Sequence, residues 1–585
     1  MLTDKLYTVS LYHKILAAIF LLAACTITTS YLLNSADYGI LDDATSVYPL
    51  LLEHAANGTV SWDSMHARPA GPLGRIVPVA TFIAEINWFG HTYEQLKITN
   101  VVLHFLLATS LVLAVCVGYR NGLHESTISV WLMFGVLFWF VNPYWISTVQ
   151  YTVQRMTLMA AFFGVWAMLL HLAAILLRKR NKPIKSIFLY IGSCFCLVIA
   201  VFSKENTLAI VLLLVLLEMV FISNQRDRRA AVLISSLAAI CLVVIGWEAY
   251  SDWISNGYLD RDFTLYERLR TQLTMTFRVA GQLILPWKVF PTVFTDYVLV
   301  TPISETLYAF SVVLGVSIIC CVVSLLHDSM EVRLAGYSFL AFLVLLVPEN
   351  TVIALELHFQ HRYYLPSLFL FLGFALLVHL SSKMARELCG EICYGGVRHL
   401  ARCFGALYLL LALVSFLTNI INWKSPILLS LEAVQRVSSP RAASSLADYL
   451  SASGFYPEAL YYSRLASSID EQETQWDLVF RNSMLACKAE ATFSRLDHAL
   501  NDVPGDYFVK DVVTIRAFSV TLQAGYCDRD FVESWYAANR QAIRRALSSG
   551  VEVAYKGASQ SAVIHYLDYI SDDIEIFDFE RLKDA

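Results

Sequence analysis

What constrains this chain most is the recurrence of uninterrupted apolar runs long enough to cross a bilayer. They lie near 14–34, 96–118, 127–142, 153–177, 186–202, 207–223, 230–250, 306–326, 334–348, 366–381 and 402–421. A hydrocarbon core of roughly 30 Å takes about 20 apolar residues in helix. Lipid offers the backbone no hydrogen-bond partner, so such runs must be helical. The expectation is an all-α, polytopic bundle of about eleven spans. Composition agrees: only 16% of the 585 residues are charged, against about 25% in soluble domains. The formal net charge of −5 supplies no basic face for nucleic acid, which is excluded as a partner. The first run is too long for the apolar core of a signal peptide, and no small-residue cleavage site follows it, so it reads as a retained helix.

Orientation follows from basic loops. Arg178, Lys179, Arg180, Lys182 and Lys185 form one cluster, Arg226, Arg228 and Arg229 a second, and Lys383, Arg386, Arg398 and Arg402 a third. Each follows an even-numbered run, which puts all three on one side, expected to be cytoplasmic with the N-terminus. Outer segments then cover 35–95, 251–305 and 349–365 of a membrane domain 1–423. Loops this long are usually functional when they are not disordered.

From Trp423 onward the spanning runs cease, and 424–585 reads as a soluble helical domain on the outer side. Leu446, Ala447, Leu450, Gly454, Ala459, Tyr462 and Ala466 are spaced for two antiparallel helices around a turn at Gly454, a pattern like one tetratricopeptide repeat. Further helix pairs are expected, with turns near Val503-Pro504-Gly505 and Ser548-Ser549-Gly550. A disulfide between Cys487 and Cys527 is permitted outside the cytoplasm. Cys389 and Cys393 have no matching pair nearby and read as ordinary small residues.

The chemistry-bearing residues gather at the outer ends of the runs. Asp42 and Asp43 follow the first one. One could be a general base, its pKa raised by burial and by its neighbour; the pair could instead ligate a divalent cation or be a solvated helix end. Arg68 and Arg75 suit phosphate oxygens, or headgroup anchoring. Tyr151-Thr-Val-Gln154-Arg155-Met156, Ser203-Lys204-Glu205-Asn206, Arg261-Asp262-Phe263-Thr264 with Glu267-Arg268-Leu269, and Glu356-Leu-His358-Phe-Gln360-His361-Arg362-Tyr363 complete the set. Ionisable residues at membrane depth are expensive, which makes each a functional candidate; structural salt bridges are the alternative. The helix centres are nearly free of charge, whereas a transporter needs polar groups near the midplane. Transfer chemistry at the outer interface fits better.

Several of these segments, in this order, resemble the polytopic GT-C glycosyltransferases, and within them bacterial relatives of the tetratricopeptide-bearing O-mannosyltransferases. The carrying residues are Leu41-Asp42-Asp43, Arg75 with Pro78, Lys97-Ile-Thr-Asn100-Val-Val-Leu-His104, Val153-Gln154-Arg155-Met156, Ser203-Lys204-Glu205-Asn206, Arg261 to Leu269, and His361-Arg362-Tyr363-Tyr364-Leu365-Pro366. The similarity spans most of 14–423. It implies a polyprenyl-phosphate-linked sugar as donor and inverting transfer assisted by a carboxylate. Asp42 or Asp43 is then the acid/base candidate, and Arg155, Lys204, Arg362 and Arg75 the donor-phosphate candidates. Glu205, Gln154, His361, Glu356 and Arg68 would support them. A divalent cation (Mg or Mn) would fall to Asp43. Relatives often carry an acid where this chain has Gln360. The acceptor expected is an exported protein such as a pilin, with a lipid or surface glycan as the alternative acceptor and a lipid-linked-sugar flippase as the alternative function. The expected location is a bacterial inner membrane with the C-terminal domain in the periplasm.

Overall fold

The computed structural model describes residues 11–65, 75–90, 92–120, 126–221, 256–259, 261, 263–296, 302–437 and 439–469. All regular structure among them is helical. The chain divides into two compact units, 1–429 and 430–585.

Among the described residues of the first unit, seven helices are long and apolar enough to cross a membrane: Tyr93–Tyr119, Thr152–Lys179, Pro183–Ser203, Ile303–Leu326, Met330–Asn350, Gln360–Leu388 and Gly395–Lys424. An eighth is added if Ile128–Phe140 and Pro143–Gln150, bent by 44°, count as one span. The bend has a local cause. Proline removes a backbone donor and disfavours helix at the residue before it. Asn142, with φ −66° and ψ 124°, caps the new start by accepting from the Tyr144 N–H. The eleven expected runs are therefore not all met as spans. The first is apolar only over Ala18–Asn34; the sixth is described for Ile210–Phe221; the seventh, 230–250, lies outside the described residues.

The longer helices are labelled α1 (Leu11–Asn34), α2 (Ile76–Phe89), α3 (Tyr93–Arg120), α4 (Ser126–Phe140), α5 (Arg155–Lys179), α6 (Pro183–Ser203), α7 (Ile210–Phe221), α8 (Leu265–Ile284), α9 (Ile303–Leu326), α10 (Met330–Asn350) and α11 (Tyr364–Ile420). α5 packs chiefly on α6, and α10 packs on both α9 and α11. α11 is two spans joined at Gly390, whose φ of 77° breaks the helix in a conformation that costs glycine nothing. α6 and α9 leave most of their apolar surface uncovered, as lipid-facing helices do.

α2 is the element the sequence reading missed. It is an apolar helix inside the segment 35–95, roughly 20 Å long at the usual rise, too short to span. Trp88 and Phe89 at its C-terminal end are exposed, the placement of an interfacial anchor.

In the second unit, α12 (Pro440–Ala452) and α13 (Tyr456–Ile469) form an antiparallel pair. Gly454 takes φ 85° at the turn, and Leu446, Ala447, Ala459 and Ala466 are buried, as the spacing predicts. Ser439 caps α12 by accepting from the Ala442 N–H. Cys487, Cys527 and the two later turns lie outside the described residues.

Candidate functional site

The site is organised by the segment that starts α5. Within residues 151–157, successive groups reach different parts of the chain. Tyr151 and Val153 meet the first outer segment, Arg155 meets α2, Met156 meets Arg75, and Thr157 meets Lys204.

On one flank lie the two aspartates, and their environments differ. Asp43 is fully buried. One carboxylate oxygen accepts the Val153 N–H at 2.7 Å and the other the Ile40 N–H at 3.1 Å. Burial pushes its carboxyl up to about 7, while those two N–H groups and the nearby Lys97 charge pull the other way. Lys97 is held by the carbonyls of Ala36 and Tyr38, at 2.8 and 2.9 Å, and lies 3.9 Å from the Tyr38 ring centre. Asp42 is exposed, and its backbone N–H donates to the Tyr151 hydroxyl at 2.8 Å. Burial, with the two carboxylates beside it, pushes the Tyr151 phenol well up, so it stays protonated. Leu41, immediately before, has φ 45°, a conformation that costs a branched residue energy and tends to persist at functional sites. The turn thus ties Asp43 down and leaves Asp42 facing out.

Asp43 does not suit a cation. Both its oxygens are already aimed at N–H donors, and Lys97 stands close by. Among the described residues no three His, Cys, Asp or Glu side chains gather as metal ligands.

On the other flank lie the cations. Arg75, itself at φ 45°, reaches Glu205 at 3.4 Å and the Met156 sulfur at 3.0 Å. Lys204 sits at the one extended residue between α6 and the 3₁₀ turn Glu205–Ala209, which directs it inward. It pairs with Glu349 at 2.7 Å and donates to Thr157 at 3.3 Å. Burial lowers its pKa and Glu349 offsets this. Arg362 is buried and donates to the Glu356 carbonyl at 2.6 Å. Lys204, Arg362 and His361 line a small pocket with Thr157, Ala160, Ala161, Asn206, Thr207, Leu345, Leu365 and Pro366; its empty space of about 310 Å³ includes open solvent at its mouth, and its interior has room for little more than a water molecule. The Asn206 side-chain oxygen is buried without a partner. Two cations, one of them paired with Glu349, and the Asn206 amide line this pocket, so an anion entering it would compete with Glu349 for Lys204.

The structure brings together Arg75, Glu205, Lys204, His361 and Arg362. It seats Arg155 differently. That side chain is wholly buried, with Glu85 of α2 at 2.6 Å, the Leu96 carbonyl at 2.8 Å and the Phe82 ring centre at 4.1 Å. Asn100 and Thr81 accept from two more of its N–H groups. Wholly buried, with Glu85 as its counter-ion and four of its five N–H groups engaged, Arg155 is a strut between α2, α3 and α5. Gln154 accepts from Thr157 and so supports the Lys204 contact. Glu356 pairs with Arg261 at 2.9 Å. Arg68 lies outside the described residues. No hydrogen bond or ion pair among the described residues joins Asp42 or Asp43 to Lys204 or Arg362; residues 151–157 contact both flanks.

Gln360 explains its own departure from an acid. Its amide accepts from Ser147 and from the Thr292 N–H, and donates to the Phe290 carbonyl at 2.8 Å. A carboxylate could not make the last bond. Glu267 likewise has a local role: with Thr264 it forms a reciprocal capping box at the start of α8. Glu349 escaped the sequence reading. A carboxylate near the end of an apolar run was the available signal.

Comparison of the chain with family models, curated proteins and solved structures returns no match.

Proposed function

We propose that the protein is a membrane glycosyltransferase of GT-C type that moves a sugar from a polyprenyl-phosphate donor to an acceptor on the non-cytoplasmic face. What supports this reading is a pair of features on the two flanks of the 151–157 segment: an exposed carboxylate, Asp42, whose backbone N–H is bonded to Tyr151, and a pocket lined by Lys204 and Arg362 that Thr157 also lines. In this reading Asp42, not Asp43, is the base. It takes the proton from the acceptor hydroxyl, whose oxygen attacks the anomeric carbon from the face opposite the phosphate. The carbon–oxygen bond to phosphate breaks with inversion. Arg362 and Lys204, aided by Arg75, neutralise the departing polyprenyl phosphate. Glu349 holds Lys204 until phosphate competes for it, and His361 and Asn206 face the sugar.

The acceptor proposed is an exported protein. The helical pair at Gly454 supports it, because stacked pairs of this kind build concave surfaces for peptides. The reading includes further spans beyond the seven and a tetratricopeptide-like domain on the outer side, with the basic loops cytoplasmic and the N-terminus with them, in an inner membrane.

The test compares wild type with Asp42→Asn in the parent cells and weighs exported proteins by mass spectrometry. Loss of a hexose-sized mass that wild type adds, with the variant still present in the membrane, is the expected result. An unchanged set of modified proteins would end the assignment of Asp42.

A further inference from the structure

From the last turn of α10 into the loop that follows it, residues 349–358 have almost all their carbonyls bonded. Most of the bonds come from side chains of one other segment, 258–295. Arg268 donates to the carbonyls of Glu349 at 2.5 Å, Thr351 at 3.1 Å and Glu356 at 3.0 Å, and also to that of Leu355. Arg261 takes the Ala354 carbonyl at 3.0 Å and Tyr258 the Val352 carbonyl at 3.0 Å. Arg268 has no exposed surface, and burial together with the nearby Arg362 charge brings its pKa down to about 10.

One oxygen matters most. The Glu356 carbonyl accepts from Arg268 and from Arg362 at 2.6 Å. Two guanidinium groups share it, and two like charges held close in a buried place repel each other. Stability alone does not favour such a pairing. An anion brought to Arg362 relieves it.

We propose that Arg268 is a positioning residue for the phosphate-binding side of the site: by gathering four carbonyls of residues 349–356 it fixes the Arg362 guanidinium, which shares the Glu356 carbonyl with it, in place toward a phosphate monoester or diester. The proposal rests on the donor reading above for its ligand, but its structural half does not. Lysine keeps the charge and loses the fork, since an ammonium cannot span carbonyls that the planar guanidinium reaches together. Arg268→Lys therefore isolates the geometry from the charge.

The experiment uses the full chain in lipid nanodiscs, with farnesyl phosphate as probe. Hydrogen exchange is followed by mass spectrometry in wild type, Arg268→Lys and, as a folding control, Arg436→Lys. The expected result is faster exchange in Arg268→Lys confined to 349–362, with farnesyl phosphate binding weakened about tenfold and the control unchanged. Unchanged exchange over 349–362, or faster exchange throughout the chain, overturns the positioning role. Wild-type affinity in Arg268→Lys, with the loop loosened, overturns the link to Arg362. Wild type that fails to bind farnesyl phosphate overturns the donor reading and with it that link, while the exchange data still decide whether Arg268 fixes the loop.

Discussion

Two clusters of ionisable side chains sit at opposite ends of the same helices, and they are built on different terms. α5 runs from Arg155 to Arg178, roughly 35 Å at the usual rise; α10 runs from Glu331 to Glu349. At the far end, Glu218 meets Arg178 at 2.5 Å, the Tyr190 hydroxyl at 2.6 Å and His171 at 3.3 Å, tying α5, α6 and α7. Glu331 there meets Lys383 at 3.4 Å and His379 at 3.6 Å. Arg178 and Lys383 are more than half exposed. At the candidate site the corresponding groups are buried: Lys204 and Glu349 are at most 8% exposed, and Arg155 not at all. Exposed pairs stabilise little and cost little. Buried charges carry a desolvation penalty that their mutual attraction does not reliably recover. The far cluster reads as helix fastening. The near one is held at a cost to stability: Arg155 serves there as a strut, while the Lys204–Glu349 pair stands beside the pocket that Lys204 lines.

The sharpest way to break this contrast is at Lys204. Lys204→Met leaves Glu349 as an unpaired buried carboxylate and is expected to cost about 3–5 kcal/mol, read as a fall in thermal midpoint in detergent. Lys204→Met with Glu349→Leu is expected to recover most of that stability while failing to bind a polyprenyl phosphate. A single variant as stable as wild type would show that the pair is not buried as described.

An effect of similar size, spread over pH, is expected at Asp43. An unfolded aspartate titrates near about 3.9, whereas the folded carboxyl is pushed up to about 7. Between those values the unfolded chain gives up its proton and the folded chain keeps it. Stability from this group is therefore full below about pH 4, declines toward pH 7 and is level above. Thermal midpoints of wild type and Asp43→Asn across that interval should differ in slope; parallel curves would remove the buried-carboxyl account.

The least effect is expected at Glu218→Gln, no more than about 1 kcal/mol for partly exposed pairs, with transfer activity unchanged. A large loss of activity there would erase the distinction between the two ends.

Much of the fold was legible because span length and composition are local signals. The helix pair at Gly454 was legible for the same reason, through its small residues. Lys204, Arg362 and Arg75 stood out in the sequence because a cation beside an apolar run is conspicuous, and the structure places all three near one another. What stayed hidden depends on partners far along the chain. Arg155 looks like Lys204 in the sequence, but Glu85, seventy residues earlier, closes it off. Asp42 and Asp43 are chemically the same and adjacent; only the Val153 N–H and the turn at Leu41 separate their roles. Arg268 reads as one more arginine until the carbonyls of 349–356 are seen around it.

α2 has a consequence for how the protein meets its surroundings. It carries Glu85, which locks Arg155, and it ends in bare Trp88 and Phe89, which seat at headgroup level. A thinner or thicker bilayer would shift the depth at which those rings settle and tug on the strut behind the pocket. Turnover should therefore track acyl-chain length when the protein is reconstituted, making the host membrane itself a tuning element.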